Sequence, residues 1–391
     1  MTVDKYKSQE LKLALTLSGI IALRMLGLFL ILPVFMILAT DIPGFTPQMG
    51  GVAVGIYGLT QALLQQPFGW LSDRWGRRPV LLIGLFLFAL GGVVAALADS
   101  MLMLIAGRAL QGCGAIAGVA MAFAAAFTRP ERRPVSMAII GLGIGGAFLL
   151  SMMLSVPLAM LLGLKGLFWL TVLFGLSGML LIMTIPRRSP VVEDPQENVQ
   201  VDMKPVWMLA LSVFLLHAVM TLLFVVLPPM LVGKYGYMLA EHWKLYVPTM
   251  VMSVLIMFPI LRKVGKSLSE HLMLPVAFMA IALSMGLMAL DFPVAGLGLL
   301  MTVYFLGFNL LEAAMPSLLA RISGSRGRGR RMGVYSTFQF LGAFAGGVIG
   351  GGILGWLGSG IALLAAAAAC LLWGIVLKAV SKRFFLTGAS Y

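Results

Sequence analysis

The chain has 391 residues, of which 60% are hydrophobic and 11% are charged, and its mean hydropathy is +1.02. This composition excludes a soluble globular domain, because there is too little polar surface to cover one. The formal net charge of +14 would suit a nucleic-acid-binding protein, but the placement of the basic residues excludes that function.

Twelve apolar segments are long enough to cross a membrane, for which a helix needs about 20 apolar residues. In chain order the predicted helices are 13–39, 50–70, 79–98, 101–127, 135–161, 166–186, 206–232, 243–262, 270–290, 293–320, 332–356 and 359–380. The runs lack the ten-residue alternation of a membrane barrel. The sequence therefore predicts an all-α membrane protein with twelve transmembrane helices.

The basic residues follow the loops of this arrangement. Of the 28 lysines and arginines, 23 fall at the termini and in alternate loops on one face, 3 fall on the opposite face, and Arg24 and Arg108 lie inside helices. Such an excess marks the cytoplasmic side of a membrane protein. We therefore expect a multi-pass protein of a bacterial inner membrane with its N- and C-termini in the cytoplasm.

One polar stretch, from Pro186 to Pro205, separates the first six predicted helices from the last six. We predict an N-terminal six-helix bundle over 1–186, a cytoplasmic linker over 187–205 and a C-terminal six-helix bundle over 206–391. Two pseudo-symmetric halves, each built from inverted three-helix repeats, are typical of secondary transporters.

The sequence offers no chemistry for an enzyme. No nucleophile–base pair, metal-ligand spacing or G-x-x-x-x-G-K-[ST] phosphate loop is apparent, and Cys113 and Cys370 fall inside predicted helices. We expect no metal and no cofactor, so that an ion gradient must drive any transport.

A charged segment, Gly69 to Pro79, separates the second and third predicted helices. It resembles the loop motif of the major facilitator superfamily, G-x-L-x-D-R-x-G-R-[KR], whose defining positions are filled by Gly69, Asp73, Arg74, Gly76, Arg77 and Arg78. The resemblance implies a conformational gate. In that gate Asp73 would lie against the positive N-terminus of the eleventh helix, near Met332 to Ser336, and hold the two halves together when the transporter faces outward.

Four further stretches are similar to YajR-like transporters of the drug:proton antiporter group, and the similarity covers all twelve helices. They are 24–27, 55–61, 308–313 and 332–337. YajR-like proteins often carry a soluble C-terminal domain, which we do not expect here because 381–391 is too short. The resemblance implies a monomer that moves small molecules by alternating access.

Glu312 is the one carboxylate of fourteen that lies well inside an apolar segment. A carboxyl group removed from water favours its neutral form, so it can take up a proton on one side and release it on the other. We therefore expect Glu312 to couple transport to protons. The alternative is a structural pair with an arginine or asparagine.

By resemblance, helices 1, 4, 7 and 10 line the central cavity, which assigns Arg24, Arg108, His217 and Glu312 to the lining. Arg108 opens the segment 108–114, which resembles the helix 4 motif R-x-x-Q-G-x-G, whose arginine is tied to proton transfer. The alternative is an arginine bonded to backbone carbonyls. Arg24 would attract an anionic or hydrogen-bond-accepting substrate or pair with Glu312. His217 is either a proton relay or a neutral hydrogen-bonded histidine.

These residues form two predicted sets. The proton-coupling set comprises Glu312, Arg108 and Asp73. The substrate-cavity set comprises Arg24, Gln61, Gln65, His217, Asn309 and Glu312. For Gln61, Gln65 and Asn309, contact with substrate and bonding between helices are equally plausible interpretations.

Two glycine patterns bear on the subfamily and on packing. Antiporters of this group usually carry G-x-x-x-G-P-x-x-G-G in helix 5, where this chain has the glycine-rich stretch 141–146 and then Ser155-Val156-Pro157. The missing Gly-Pro pair weakens the case for antiport specifically. The series Gly342, Gly346 and Gly350 in the eleventh helix is predicted to pack against the second helix, near Gly69.

The sequence thus favours a secondary transporter that exports small amphiphilic molecules in exchange for protons. Its expected partners are a small-molecule substrate, protons and the lipid bilayer, without nucleic acid. One alternative is proton-coupled uptake or exchange of a small polar or anionic metabolite. Another is a membrane sensor or scaffold that does not transport, against which the intact charged motif and the buried Glu312 argue.

Overall fold

A computed structural model of the protein describes residues 3–185, 203–263, 270–290, 292–323 and 328–385. Most of the predicted linker (187–202), the basic residues Lys266 and Arg326, and the chain from 386 onward lie outside these ranges.

Every regular element in the described ranges is helical. The α-helices are α1 (Val3–Ile31), α2 (Phe35–Leu38), α3 (Pro47–Trp75), α4 (Arg77–Ala96), α5 (Met101–Cys113), α6 (Ala117–Phe127), α7 (Arg133–Met183), α8 (Met203–Gly233), α9 (Trp243–Lys263), α10 (Glu270–Met288), α11 (Val294–Ile322), α12 (Arg328–Leu357) and α13 (Ser359–Phe385). Three short 3₁₀ helices cover Ala39–Asp41, Pro130–Arg132 and Leu239–Glu241.

Nine helical spans of the described chain, with α5 and α6 counted together as Met101–Phe127, are long and apolar enough to cross a membrane, judged by length and composition. One of them, the 51-residue α7, contains two of the predicted spans, because Gly163 (φ 65°) interrupts it with a conformation that other residues rarely adopt. The less apolar α3 and the shorter apolar helix Leu272–Met288 complete the set of twelve. The predicted all-α membrane fold is confirmed, whereas the cytoplasmic location of the termini stays a prediction.

The structure corrects the extent of the first predicted helix and the continuity of the fourth. The first helix begins at Val3 instead of 13 and ends at Ile31, after which a turn leads into α2. The fourth predicted helix, 101–127, is interrupted between Cys113 and Ala117, so it forms α5 and α6. A Cβ at Gly114 in this interruption would overlap the carbonyl oxygen of Gly84 on α4, so the break allows a close backbone approach.

The charged segment Gly69 to Pro79, predicted to separate the second and third helices, is itself mainly helical. α3 continues to Trp75, so that Asp73 and Arg74 belong to its last turn, and α4 begins at Arg77. The turn is confined to Gly76, whose φ of 87° lies in the left-handed region that favours glycine. Glycine at this position is therefore required by the sharp reversal between α3 and α4.

The chain divides into two compact units. Unit 1 comprises Met1–Phe45 and Val52–Glu197, and unit 2 comprises Thr46–Gly51 and Asn198–Tyr391. The predicted linker falls mostly outside the described residues, and the predicted domain boundaries stay predictions.

The glycine series of α12 packs against α8 within unit 2, so its predicted packing against the second helix is wrong. A Cβ at Gly342 would overlap the carbonyl oxygen of Phe214, and one at Gly346 would overlap that of Ala218. Gly350 faces Leu222. Glycine at four-residue spacing thus lets the backbones of α8 and α12 come close together.

Glu10 of α1 forms ion pairs with Arg129 and Arg132, which lie in the segment after α6 in unit 1. Its side chain is 3% exposed, and its carboxylate accepts hydrogen bonds from the backbone N–H, Nε and Nη2 of Arg129 at 3.0, 3.1 and 3.2 Å. Arg132 Nη1 lies 3.8 Å from the second oxygen. A buried carboxylate with several charged donors contributes more than an exposed ion pair.

Replacing Glu10 with glutamine is therefore expected to lower the free energy of unfolding by about 1.5–3 kcal/mol, seen as a lower unfolding temperature of the purified protein. The matched control is Glu241→Gln, because Glu241 pairs with Lys244 at 3.0 Å in a half-exposed setting where loss of the pair costs about 0–1 kcal/mol. Equal unfolding temperatures for the two variants would contradict this role of Glu10.

Candidate functional site

Unit 2 brings together three polar side chains from three helices. His217 of α8, Glu312 of α11 and Gln339 of α12 meet, with His217 Nε2 3.8 Å from Glu312 Oε2. The amide nitrogen of Gln339 lies 2.8 Å from His217 Nε2 and 3.4 Å from Glu312 Oε1. An amide thus bridges an imidazole and a carboxyl group. We call these three residues the His–Gln–Glu cluster.

The hydrogen bonds of His217 fix the position of its ring proton. Nδ1 lies 3.1 Å from the carbonyl oxygen of Val213, which can only accept, so Nδ1 carries the hydrogen. In the neutral ring Nε2 is then an acceptor, and it accepts from the amide of Gln339. A second proton at Nε2 would make the ring cationic and point a donor toward Glu312 Oε2. The cluster can therefore hold a proton on either the imidazole or the carboxyl group.

Glu312 is less enclosed than its apolar segment suggests. Its side chain is 35% exposed, although Oε2 is buried and has no hydrogen-bond partner among the described residues. The His217 side chain is 9% exposed and lies 5.9 Å from the ring of Phe308. The Glu312 side chain therefore has a buried oxygen that faces the imidazole, while another part of it is exposed.

Asn309 does not join this cluster. Its Nδ2 donates to Ser253 Oγ on α9 at 3.0 Å and lies 3.8 Å from the sulfur of Met250. Of the two interpretations that the sequence left open for Asn309, this contact favours bonding between helices.

Unit 1 contains a second polar cluster around Tyr57 on α3. Arg24 of α1 donates a hydrogen bond to Gln61 Oε1, and its guanidinium carbon lies 5.4 Å from the centroid of the Tyr57 ring and 5.7 Å from that of Phe88. Arg24 is 1% exposed, Tyr57 2% and Gln61 fully buried. A buried guanidinium is thus held by an amide and aromatic faces.

Arg108 of α5 approaches the same tyrosine. Its guanidinium carbon lies 5.0 Å from the centroid of the Tyr57 ring, and it is 1% exposed. Arg108 Nε donates to the carbonyl oxygen of Ala53 at 3.3 Å, and Nη1 donates to Gln111 Oε1 at 2.9 Å. Gln111 Nε2 in turn donates to Thr171 Oγ1 at 2.8 Å. The alternative contact of Arg108 with a backbone carbonyl is therefore present, while its role in proton transfer stays a prediction.

The predicted sets are thus partly assembled. Arg24 and Gln61 meet in unit 1, and His217 and Glu312 meet in unit 2. Gln65 is 6% exposed and its amide faces Gly118 of α6, where a Cβ would lie 2.8 Å away. Pairing of Arg24 with Glu312 involves both units and stays a prediction.

Two of the predicted gate residues, Arg74 and Arg78, have structural contacts within unit 1. Arg74 stacks on Trp70 at 4.0 Å, and Arg78 donates to the carbonyl oxygens of Ile185 at 3.1 Å and Met183 at 3.4 Å. Arg78 thereby satisfies carbonyl groups at the end of α7. Asp73 is exposed, and its predicted contact with the eleventh helix stays a prediction.

Four residues outside the two predicted sets belong to these clusters. Gln339, Tyr57, Gln111 and Thr171 each contribute a polar group or ring to the clusters. The spacing of Gln111, three positions after Arg108 on one helix face, was a usable signal. For the other three the contact partners lie on distant helices, and no local pattern identifies them.

No group of three or more histidine, cysteine or acidic residues in the described ranges could hold a metal ion. A cavity of about 440 Å³ lies in unit 2 beside α9 and α11, lined in part by Tyr237, Lys244 and Met252. None of the predicted site residues is among its described lining.

Comparison with known proteins gives a consistent result. Residues 17–319 match the Major Facilitator Superfamily. The chain is 37% identical over 368 residues to the inner membrane transport protein YajR of Escherichia coli. The aligned region covers 91% of this chain and 80% of YajR. It is 26% identical over 343 residues to the multidrug resistance protein MdtH of Aeromonas salmonicida, with 84% of each chain covered. The crystal structure of a D-xylose–proton symporter superposes with a TM-score of 0.76 at 15% identity, over 94% of this chain and 96% of that one.

Proposed function

The chain belongs to the major facilitator superfamily, and we propose that it exports small amphiphilic molecules in exchange for protons by alternating access. Membership of this family makes it a membrane transporter rather than an enzyme. It is a multi-pass protein of a bacterial inner membrane. Substrate, coupling ion and direction are the proposed parts.

The observation that carries proton coupling is the His–Gln–Glu cluster. Ionisable groups within membrane helices are costly and usually functional. Here a carboxyl group and an imidazole lie 3.8 Å apart and share the amide of Gln339. The neutral imidazole leaves Nε2 free to receive a proton when its bond with Gln339 opens, and Glu312 Oε2 is the neighbouring base.

The proposed cycle follows from this geometry. With Glu312 ionised and His217 neutral, the cluster carries one negative charge. Uptake of one proton from outside by the carboxyl group of Glu312 neutralises that charge. Because a net charge within membrane helices is disfavoured, protonation changes the relative stability of the two access states. Release of that proton to the cytoplasm returns the carrier to its starting charge.

Export is supported by the relatives named multidrug resistance proteins, which span most of this chain. The competing function, proton-coupled uptake of a small anionic metabolite, is favoured by Arg24 and Arg108, both buried in unit 1. In antiport the protons move opposite to the substrate, whereas in proton-coupled uptake they move in the same direction.

The test uses sealed liposomes that contain the purified protein and a pH-sensitive dye in the lumen. Octanesulfonate, octanamide and octylammonium are added outside in turn, and the response of protein-free liposomes is subtracted. Export by antiport predicts that entry of a transported compound raises the internal pH, because a proton leaves in exchange. A fall in internal pH would instead support uptake by symport. Compound entry without a protein-dependent pH change would contradict proton coupling.

A further inference from the structure

Unit 1 buries two arginines, Arg24 and Arg108, and no buried acidic residue among its described residues pairs with them. Between Glu10 and Glu131 the sequence contains only three acidic residues, Asp41, Asp73 and Asp99. These three and Glu131 are exposed, and Glu10 pairs with Arg129. No described carboxylate of this unit forms an ion pair with Arg24 or Arg108.

Both guanidinium groups meet at one aromatic ring. Their central carbons lie 5.4 Å (Arg24) and 5.0 Å (Arg108) from the centroid of Tyr57. An aromatic face offsets only part of the cost of a buried cation. Two like charges brought to one buried ring also repel each other, since the interior screens them weakly.

The unused hydrogen-bonding atoms of this cluster are donors. In the described structure no partner is found for Nε and Nη1 of Arg24, Nη2 of Arg108, Nε2 of Gln61 and the hydroxyl of Tyr57. Four of these five groups can only donate, and the hydroxyl can do so as well. Buried donors without partners are rare and costly, so an acceptor with negative charge would be stabilised where these donors surround two cations.

We propose that Arg24, Arg108, Tyr57 and Gln61 bind the anionic group of a transported amphiphile, such as a carboxylate or sulfonate. The two cations supply the charge, the amide and hydroxyl supply neutral donors, and the rings of Tyr57 and Phe88 supply apolar surface for the adjoining carbon chain. Multiple charge-assisted donors favour such a group over a neutral one. This proposal rests on the transport function above, but not on proton coupling or direction.

The test is equilibrium binding to the full-length protein in lipid nanodiscs, measured by calorimetry at one pH without a gradient. Octanesulfonate, octanamide and octylammonium share one carbon chain and differ in charge. Wild-type protein is expected to bind octanesulfonate at least about tenfold more tightly than either of the others. Comparable or tighter binding of octanamide or octylammonium would overturn the proposal.

Variants locate the site. Arg24→Gln is expected to weaken octanesulfonate binding by about tenfold or more, Arg24→Lys by less, because lysine keeps the charge and loses the planar donor set. Thr184→Ala is the control, since Thr184 is exposed, donates to the Leu181 carbonyl of the preceding helix at 2.7 Å and should leave binding unchanged. Unchanged binding in Arg24→Gln would overturn the assignment. If that variant does not fold, Arg24→Lys takes its place, and octanesulfonate binding equal to that of the wild type would overturn the assignment.

A titration with sodium chloride distinguishes binding of an organic anionic group from binding of a free inorganic anion. Binding of chloride without binding of octanesulfonate would contradict the proposal that the site binds an organic anion. Because no gradient is present, the outcome is independent of coupling. A protein that binds octanesulfonate but moves no protons in liposomes retains the anion site and loses the proposed antiport.

Discussion

Replacing Glu312 with glutamine is expected to reduce proton movement coupled to transport to the level of protein-free liposomes, while the protein still folds. Glutamine keeps the size and the hydrogen-bond acceptor of the side chain, so the contact with the Gln339 amide can persist. It cannot take up or release a proton. The variant then has no carboxyl group beside His217. Proton uptake at position 312 can therefore no longer change the relative stability of the two access states.

The matched control for this variant is Glu241→Gln, which makes the same chemical change in the same unit at the half-exposed pair with Lys244, outside the His–Gln–Glu cluster. It should transport like the wild type. The measurement is the luminal pH change on addition of a transported compound, with protein content and orientation equalised. Wild-type proton movement in Glu312→Gln would mean that Glu312 is structural and that the proton carrier lies elsewhere.

Replacing Gly346 with valine is expected to prevent recovery of folded protein. A Cβ at this position would overlap the carbonyl oxygen of Ala218, which belongs to the α8 backbone and cannot move aside as a flexible side chain can. Overpacking of a close contact costs about 1–3 kcal/mol, and more where backbone must shift. That loss is a large part of the stability of a typical domain, about 5–15 kcal/mol.

Gly352→Val is the control, because it places the same β-branched residue on the same helix where a Cβ meets no atom within 4 Å. Yield of monodisperse protein after size-exclusion chromatography, together with the unfolding temperature, compares the two variants. Equal yield and stability would contradict the packing of α12 against α8.

The number and type of the helices were predictable, because each span must satisfy its own backbone in lipid and so leaves a long apolar run. Helix ends were less predictable. α1 begins ten residues early because polar residues 3–12 continue the helix beyond the apolar run. α3 runs through Asp73 to Trp75, since a charged residue does not end a helix and only Gly76 does.

The site was predictable where one residue was unusual within its own helix. Glu312 stood out as the lone intramembrane carboxylate, and Arg24 and Arg108 as the lone intramembrane arginines. Their partners were not predictable, because Gln339 and Tyr57 reach them from helices that are distant in the sequence. The glycine series shows the same limit: four-residue spacing identifies a close-packed face of α12, but not that α8 covers it.

The central claim, that Glu312 takes up and releases a proton beside His217, is tested most directly by infrared difference spectroscopy of the purified protein in lipid. The pH is stepped between acid and alkaline, and the C=O stretching band of protonated carboxyl groups is recorded for wild type, Glu312→Gln and Glu241→Gln. The other thirteen side-chain carboxyl groups also contribute to this band, so we predict one component of it that wild type and Glu241→Gln share and that is missing in Glu312→Gln. Identical difference spectra in all three proteins would contradict it.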